Sequence, residues 1–214
     1  MALNKLKFNS INVTPAASEA IRFNSSANGL EPASAGGNLV KIASTTASSS
    51  SSISFTSGLT STHKEYIFFF NNMHPATDGG ILQFNLSIDG GSNYNVAKTS
   101  TTFRSYHNEA GNSTALEYTT GDDLTQGTGA QRIIPAIGSD NDQSGSGYLH
   151  LFEPSSTTFV KHFMSSSTFA QASDYTETCF AAGYGNTTSA INAIQFSMDS
   201  GNIDAGTITM YGVL

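Results

Sequence analysis

Tryptophan is absent from the 214 residues, cysteine occurs once, as Cys179, and charged side chains make up only 12% of the chain. Each shortage closes off a class of function. A single cysteine rules out an internal disulfide and any cysteine metal cluster, and its apolar setting, TETCFAAGY, reads as a small buried hydrophobe in a protein made in a reducing cytoplasm. The charge share is about half of the usual ~25%. With a formal charge of -7 and nine scattered Lys and Arg, there is no basic footprint for nucleic-acid phosphates, so nucleic acid is not expected as a partner. No run approaches the roughly 18 apolar residues of a membrane span, and MALNKLKFNS has no continuous apolar region, so the chain is expected to be soluble, without a secretion signal or a membrane partner. The missing tryptophan also removes the strongest aromatic platform for a sugar.

Ser, Thr, Asn and Gly fill the polar positions instead. Residues 44–52, STTASSSSS, form a low-complexity stretch that divides a short N-terminal region from the rest. The reading is therefore an extended arm over 1–43, a Ser/Thr-rich linker over 44–51 and a β domain over 52–214. The arm holds strand-like pieces at Ile21–Phe23 and Leu39–Ile42, and a brief helical spacing in AASEAIRF. Its apolar points, among them Phe8, Ile11, Val13, Ile21 and Phe23, are too sparse to fold alone, so the arm is expected to dock on a neighbouring subunit or another protein.

Beyond Ser52, Gly, Asn, Asp and Ser clusters punctuate segments rich in Phe, Tyr, Ile and Thr, which suit a pleated surface. Strands are predicted at 52–57, 65–71, 81–88, 94–98, 102–107, 115–119, 132–136, 147–153, 158–165, 175–182, 190–198 and 206–212, the last carrying alternating apolar residues to the chain's final positions. Many short strands without helical crossovers predict an all-β fold, an antiparallel β-sandwich of jelly-roll-like type with an extended N-terminal arm.

Candidate chemistry is sparse. Two Asp-Gly-Gly triplets, Asp78–Gly80 and Asp89–Gly91, flank the alternating run ILQFNLSI. That run spans roughly 25 Å as a strand, too far for one ion, so both triplets read as turns. In SDNDQSGSG, Asp140, Asp142, Ser144 and Gly145 match the start of a calcium loop, but Leu151 stands where a bidentate Glu belongs, and a plain surface loop is the stronger reading. His63, His74, His107, His150 and His162 show no ligand spacing. GDDLTQGTG lacks the lysine of a phosphate loop, and there is no nucleophile elbow. Asp122 and Asp123 could serve a glycosidase but read as solvated loop carboxylates, and Tyr94, Tyr106 and Tyr184 as core or interface aromatics rather than sugar platforms. No catalytic, cofactor-binding or metal-ligating residue is assigned, and no enzymatic activity or cofactor is expected.

Three long segments carry a resemblance: the opening KLKFNSINVTPAASEAIRFNSSANGLEPASAGGNLVKI, the stretch SSSISFTSGLTSTHKEYIFFFNNMHPATDGGILQFNLSIDGGSNYN, and the closing SMDSGNIDAGTITMYGVL. Their texture and phrasing resemble virion structural proteins of tailed phages, marine ones especially. The resemblance implies a β-sandwich on the particle, acting by self-assembly and docking as a head-decoration, fibre or tail-associated subunit. It implies a homo-oligomer, a trimer by analogy, with other virion proteins as partners. A carbohydrate-recognition module contacting a host-surface glycan is the alternative.

Overall fold

The structure, a computed structural model, describes residues 19–23, 26, 28–34 and 38–214. The chain divides into two compact units, Met1–Asn38 and Leu39–Leu214. In the first, β1 (Glu19–Phe23) pairs antiparallel with β2 (Leu30–Ser34), so the helical spacing of AASEAIRF ends in a strand. Phe23 opposes Leu30 and Arg22 opposes Glu31. One face of the ribbon thus bears Ile21, Phe23 and Leu30, all exposed, and the other an Arg22–Glu31 ion pair of 2.9 Å. A two-stranded ribbon is marginal by itself. The expected anchors Phe8, Ile11 and Val13 lie outside the described residues.

The second unit is all-β and antiparallel. Its strands are β3 (Leu39–Thr46), β4 (Ile53–Phe55), β5 (Glu65–Pro75), β6 (Gly80–Ser87), β7 (Lys98–Asn108), β8 (Thr114–Tyr118), β9 (Gln131–Ile137), β10 (Gly145–Phe152), β11 (Lys161–Gln171), β12 (Tyr175–Gly185), β13 (Ala193–Met198) and β14 (Ile203–Val213). They join into one 12-stranded sheet that folds over on itself into a nearly closed, flattened barrel. The larger layer runs β3-β14-β5-β10-β11-β12-β7-β8 and the smaller β4-β13-β6-β9. The two meet at a single pair, Gln171 with Ile137. Just before that junction the β9 ladder is broken by Pro135, which has no N–H, and by Ala136 at φ 55°. Consecutive strands β5 and β6 lie in opposite layers, as do β10 and β9. They pair as β5 with β10 and β6 with β9, the wrapped-ribbon pattern of a jelly roll.

Period-2 alternation builds the core between the layers. Phe55 and Phe196 of the small layer meet Phe68 of the large one, with ring centres 5.6 and 5.5 Å apart, and Phe84 meets Phe163 edge-on at 5.2 Å. Each such ring, fully buried, contributes about 2–3 kcal/mol.

Two expectations are corrected. Residues 94–97 are not a strand; only Lys98 of that segment lies in one, at the start of β7. Its apolar signal comes from a tucked loop: the Asp89 carboxylate accepts the Asn93 backbone N–H (2.9 Å), and Val96 is buried. The Ser/Thr-rich stretch is not a free connection either. β3 runs through residue 46, across the 43/44 boundary, and pairs with β14. Hydroxyls link the strands, Ser44 to Thr209 at 2.8 Å and Thr46 to Thr207 at 3.0 Å. Ser50 then exchanges two backbone bonds with Ile203, both 2.8 Å. Serine content conceals the strand because its hydroxyls satisfy cross-strand partners rather than water.

Candidate interaction surface

The outer side of the larger layer has no sheet over it within this unit, and where this layer outruns the smaller one, at β12, β7 and β8, its inner side is open as well. Along β5 the run Phe68-Phe69-Phe70 sends Phe68 and Phe70 into the core and Phe69 outward. The same alternation turns Tyr148 out beside buried Leu149, Met164 beside Phe163, and Phe180 between Cys179 and Ala181. Strand register lines these residues up. Tyr118, Phe103, Phe180, Ser166, Tyr148 and Phe69 are successive cross-strand neighbours on β8, β7, β12, β11, β10 and β5. Five strand spacings make the row roughly 24 Å long.

Large apolar side chains on this face stay in contact with solvent: Leu116 is 75% exposed, Met164 57%, Tyr118 55% and Phe103 43%. The rings pack side by side. Phe103 and Phe180 are stacked with centres 5.0 Å apart and planes 16° from parallel. Phe69 contacts Tyr148 and Tyr211, and Tyr148 contacts His150. Stacked neighbours on adjacent strands stand on edge, so this part of the face offers ring edges rather than a flat platform. Charge is confined to its margin, where His150 is held by Glu65 and stacks on Phe152 at 5.9 Å.

The inner side of the same overhang is polar. Arg104 of β7 donates from Nε to Glu117 (2.7 Å) and from Nη1 to Glu177 (3.1 Å), and its guanidinium lies over Tyr106, 5.5 Å from the ring centre. Glu177 is 2% exposed. Burial raises its pKa against the pull of Arg104, whereas Arg104 is raised because the Glu117 bond and the Glu177 field outweigh its own desolvation. The Glu177 carboxylate is almost wholly dry and shares its cation with a second carboxylate, so the field of Arg104 does not offset its burial. A cleft of about 310 Å³ opens here, lined by Arg104, Tyr106, Gln171, Ser173, Tyr175 and Glu177.

The residues singled out by sequence are scattered. Both Asp-Gly-Gly triplets lie in turns, with Gly79 at φ 72° and Gly90 at φ 73°. Asp89 accepts from the Ser87 hydroxyl (2.6 Å) and from the Asn93 N–H groups, which together lower its pKa to about 2. Asp78 accepts the Ser139 N–H at 3.0 Å. The calcium-like pattern runs straight into β10: Gly145 is its first residue and Leu151 is buried within it. Asp140 closes a turn with Gln143. Among the described residues no three His, Cys, Asp or Glu converge as a metal site. Asp122 pairs with Arg132 at 2.9 Å while Asp123 accepts from Tyr118, so the two carboxylates serve different partners. His63 meets the Val213 carbonyl, His74 lies between Asp204 and the Asp140 carbonyl, His107 lines a shallow hollow with Thr176, and His162 contacts Tyr184. Tyr94 is half-buried in its loop and Tyr106 lines the cleft. Cys179 is buried, and burial pushes its thiol up to about 12.

Sequence reasoning missed the outer row and the Arg104–Glu177 pair. Three consecutive phenylalanines were the available signal for the first, because consecutive strand residues cannot share one face.

No known protein family, curated protein or solved structure matches the chain.

Proposed function

We propose that this chain is a structural subunit of a tailed-phage particle, made in the bacterial cytoplasm and assembled as a closed homo-oligomer, a trimer, onto other virion proteins. The sequence resemblance supplies the setting, and one observation carries the mode of action: the uncharged row Tyr118-Phe103-Phe180-Tyr148 with Leu116 and Met164 beside it. Exposed apolar patches of this kind mark contact surfaces.

A second copy is the occupant that the middle of this face admits. A chain of net charge -7 repels itself across most of its surface, whereas the row from Phe103 to Tyr148 carries no charge of its own and the acidic groups Asp123 and Glu65 stand only at its two ends. Around a threefold axis, the β8 end of the row on one copy meets the β10 end on the next, a head-to-tail contact that closes. Each large side chain so covered adds on the order of 1 kcal/mol, since all but Leu116 are already about half buried.

Sedimentation velocity on the full chain tests this. Wild type should run as one species of three copies, and Phe103→Asp with Phe180→Asp should run as a folded monomer. A monomeric wild type, or a variant that still associates, rules the reading out. Copy number in purified particles then separates a head component, with hundreds of copies, from a tail or fibre.

A further inference from the structure

The cleft beneath the overhang has a composition that the assembly reading leaves unused. It lies on the opposite side of the sheet from the aromatic row, at the β11–β12 turn. That turn is firmly held: the Gln171 side-chain oxygen accepts the Ser173 N–H (3.0 Å), the Gln171 carbonyl accepts the Asp174 N–H (3.1 Å), and the Asp174 carbonyl accepts the Glu109 N–H (3.0 Å). Its free groups therefore have fixed positions. Among the described residues the Gln171 amide retains both donor hydrogens, Ser173 is exposed, and Glu177 has given one oxygen to Arg104 while its other meets no donor. Tyr106 and Tyr175 meet edge to face at 5.4 Å and form an aromatic corner.

Charge narrows what fits. Arg104 is already neutralised by Glu117 and Glu177, so no cation is left over for an acidic ligand. Asp122 adds a further negative field at Glu177. The groups that remain are an acceptor, an amide donor, a hydroxyl and an aromatic corner. Together they match adjacent hydroxyls and an apolar C–H face on one small ring. At about 310 Å³ the cleft is at the small end for ligand sites, the size for a single ring.

We propose that this cleft binds one uncharged sugar ring, with Glu177 and Gln171 taking its hydroxyls, Ser173 closing one side and Tyr106 with Tyr175 covering its apolar face. This proposal does not rest on oligomerisation.

Saturation-transfer NMR on the full chain, with methyl glycosides of glucose, galactose, mannose and N-acetylglucosamine, tests it. Glucuronate and glucosamine serve as charged comparisons. At least one neutral sugar should bind at about millimolar strength. Ser173→Tyr, at an exposed turn position, should abolish that signal, and Gln171→Ala should weaken it by about tenfold. Phe103→Asp, on the other face, should leave it unchanged. No transfer from any neutral sugar, transfer from the charged sugars alone, or binding that survives both cleft variants would overturn the proposal.

Discussion

Two lysines are among the most deeply buried side chains of this charge-poor protein. Lys98 and Lys161 both oppose Gly185, from the strands on either side of it, and neither has a carboxylate partner among the described residues. Their ammonium groups are held by oxygens: Lys98 by the Asn85 side chain (2.5 Å) and the Val96 carbonyl (2.9 Å), Lys161 by the carbonyls of Phe159 (2.7 Å) and Thr187 (3.0 Å). Burial lowers Lys98 from 10.5 to about 8, and it lowers Lys161 as well. A base whose folded pKa is depressed loses its proton in the native state first. Between about pH 8 and 10.5 the unfolded chain therefore binds more protons, and stability rises with pH. The shift corresponds to about 3 kcal/mol. Cys179 acts in the opposite sense above pH 9, because its raised pKa keeps the native thiol protonated after the unfolded one has ionised. Comparison with Lys98→Met cancels that contribution. The wild-type minus Lys98→Met stability, from urea unfolding at pH 7 and at pH 10, should grow by about 2 kcal/mol; a constant difference would show that Lys98 does not titrate in this way.

Strand β3 sets where the folded sheet begins. Its residues Ile42 and Ala43 pack against the core, and its backbone covers one side of β14, whose Ile208 and Met210 are fully buried. Removing residues 1–38 should therefore leave the second unit folded with little change in melting temperature. Removing residues 1–46 strips a paired strand and the Ile42 contact, and should cost about 2–4 kcal/mol. Thermal unfolding of the two truncations should separate them clearly, and equal midpoints would mean that β3 adds nothing. Within the sheet, β10 depends on Gly147. A Cβ there would come within 2.3 Å of the Ser166 carbonyl and 2.8 Å of Phe70, so the close approach of β10 and β11 beneath that ring admits only glycine.

At the scale of the molecule, an acidic chain carries an uncharged aromatic face and, on the reverse of the same overhang, a polar cleft. If association uses that face, copies meet through apolar contact while their remaining charges repel. Raising the salt from about 0.05 to 0.5 M shortens the screening length and should tighten association several-fold. An interface built on ion pairs would weaken instead. Sedimentation equilibrium at the two salt concentrations separates these outcomes, and weakening would remove the aromatic face from the mechanism.

Alternation and turn chemistry are local, so the strands, their antiparallel arrangement and the Asp-Gly turns could be read directly from the chain. ILQFNLSI shows both the success and its limit: Leu82, Phe84 and Leu86 are fully buried in β6 as their spacing requires, but Asn85 and Ser87 on the other face are buried too and Ile88 lies exposed beyond the strand. Where composition and geometry part, reading failed: STTASSSSS hides the end of β3, and Tyr94 and Val96 look strand-like because a loop turns Val96 inward. Neither surface was legible. The row from Tyr118 to Phe69 joins six strands spread from residue 69 to residue 118 and on to 180, and only their register makes them neighbours. The Arg104–Glu177 pair spans 73 positions and exists because β7 lies beside β12. Strand identity is determined by the period of nearby side chains, whereas the order of strands in a sheet is decided by which buried faces fit together. That fit belongs to the folded chain as a whole.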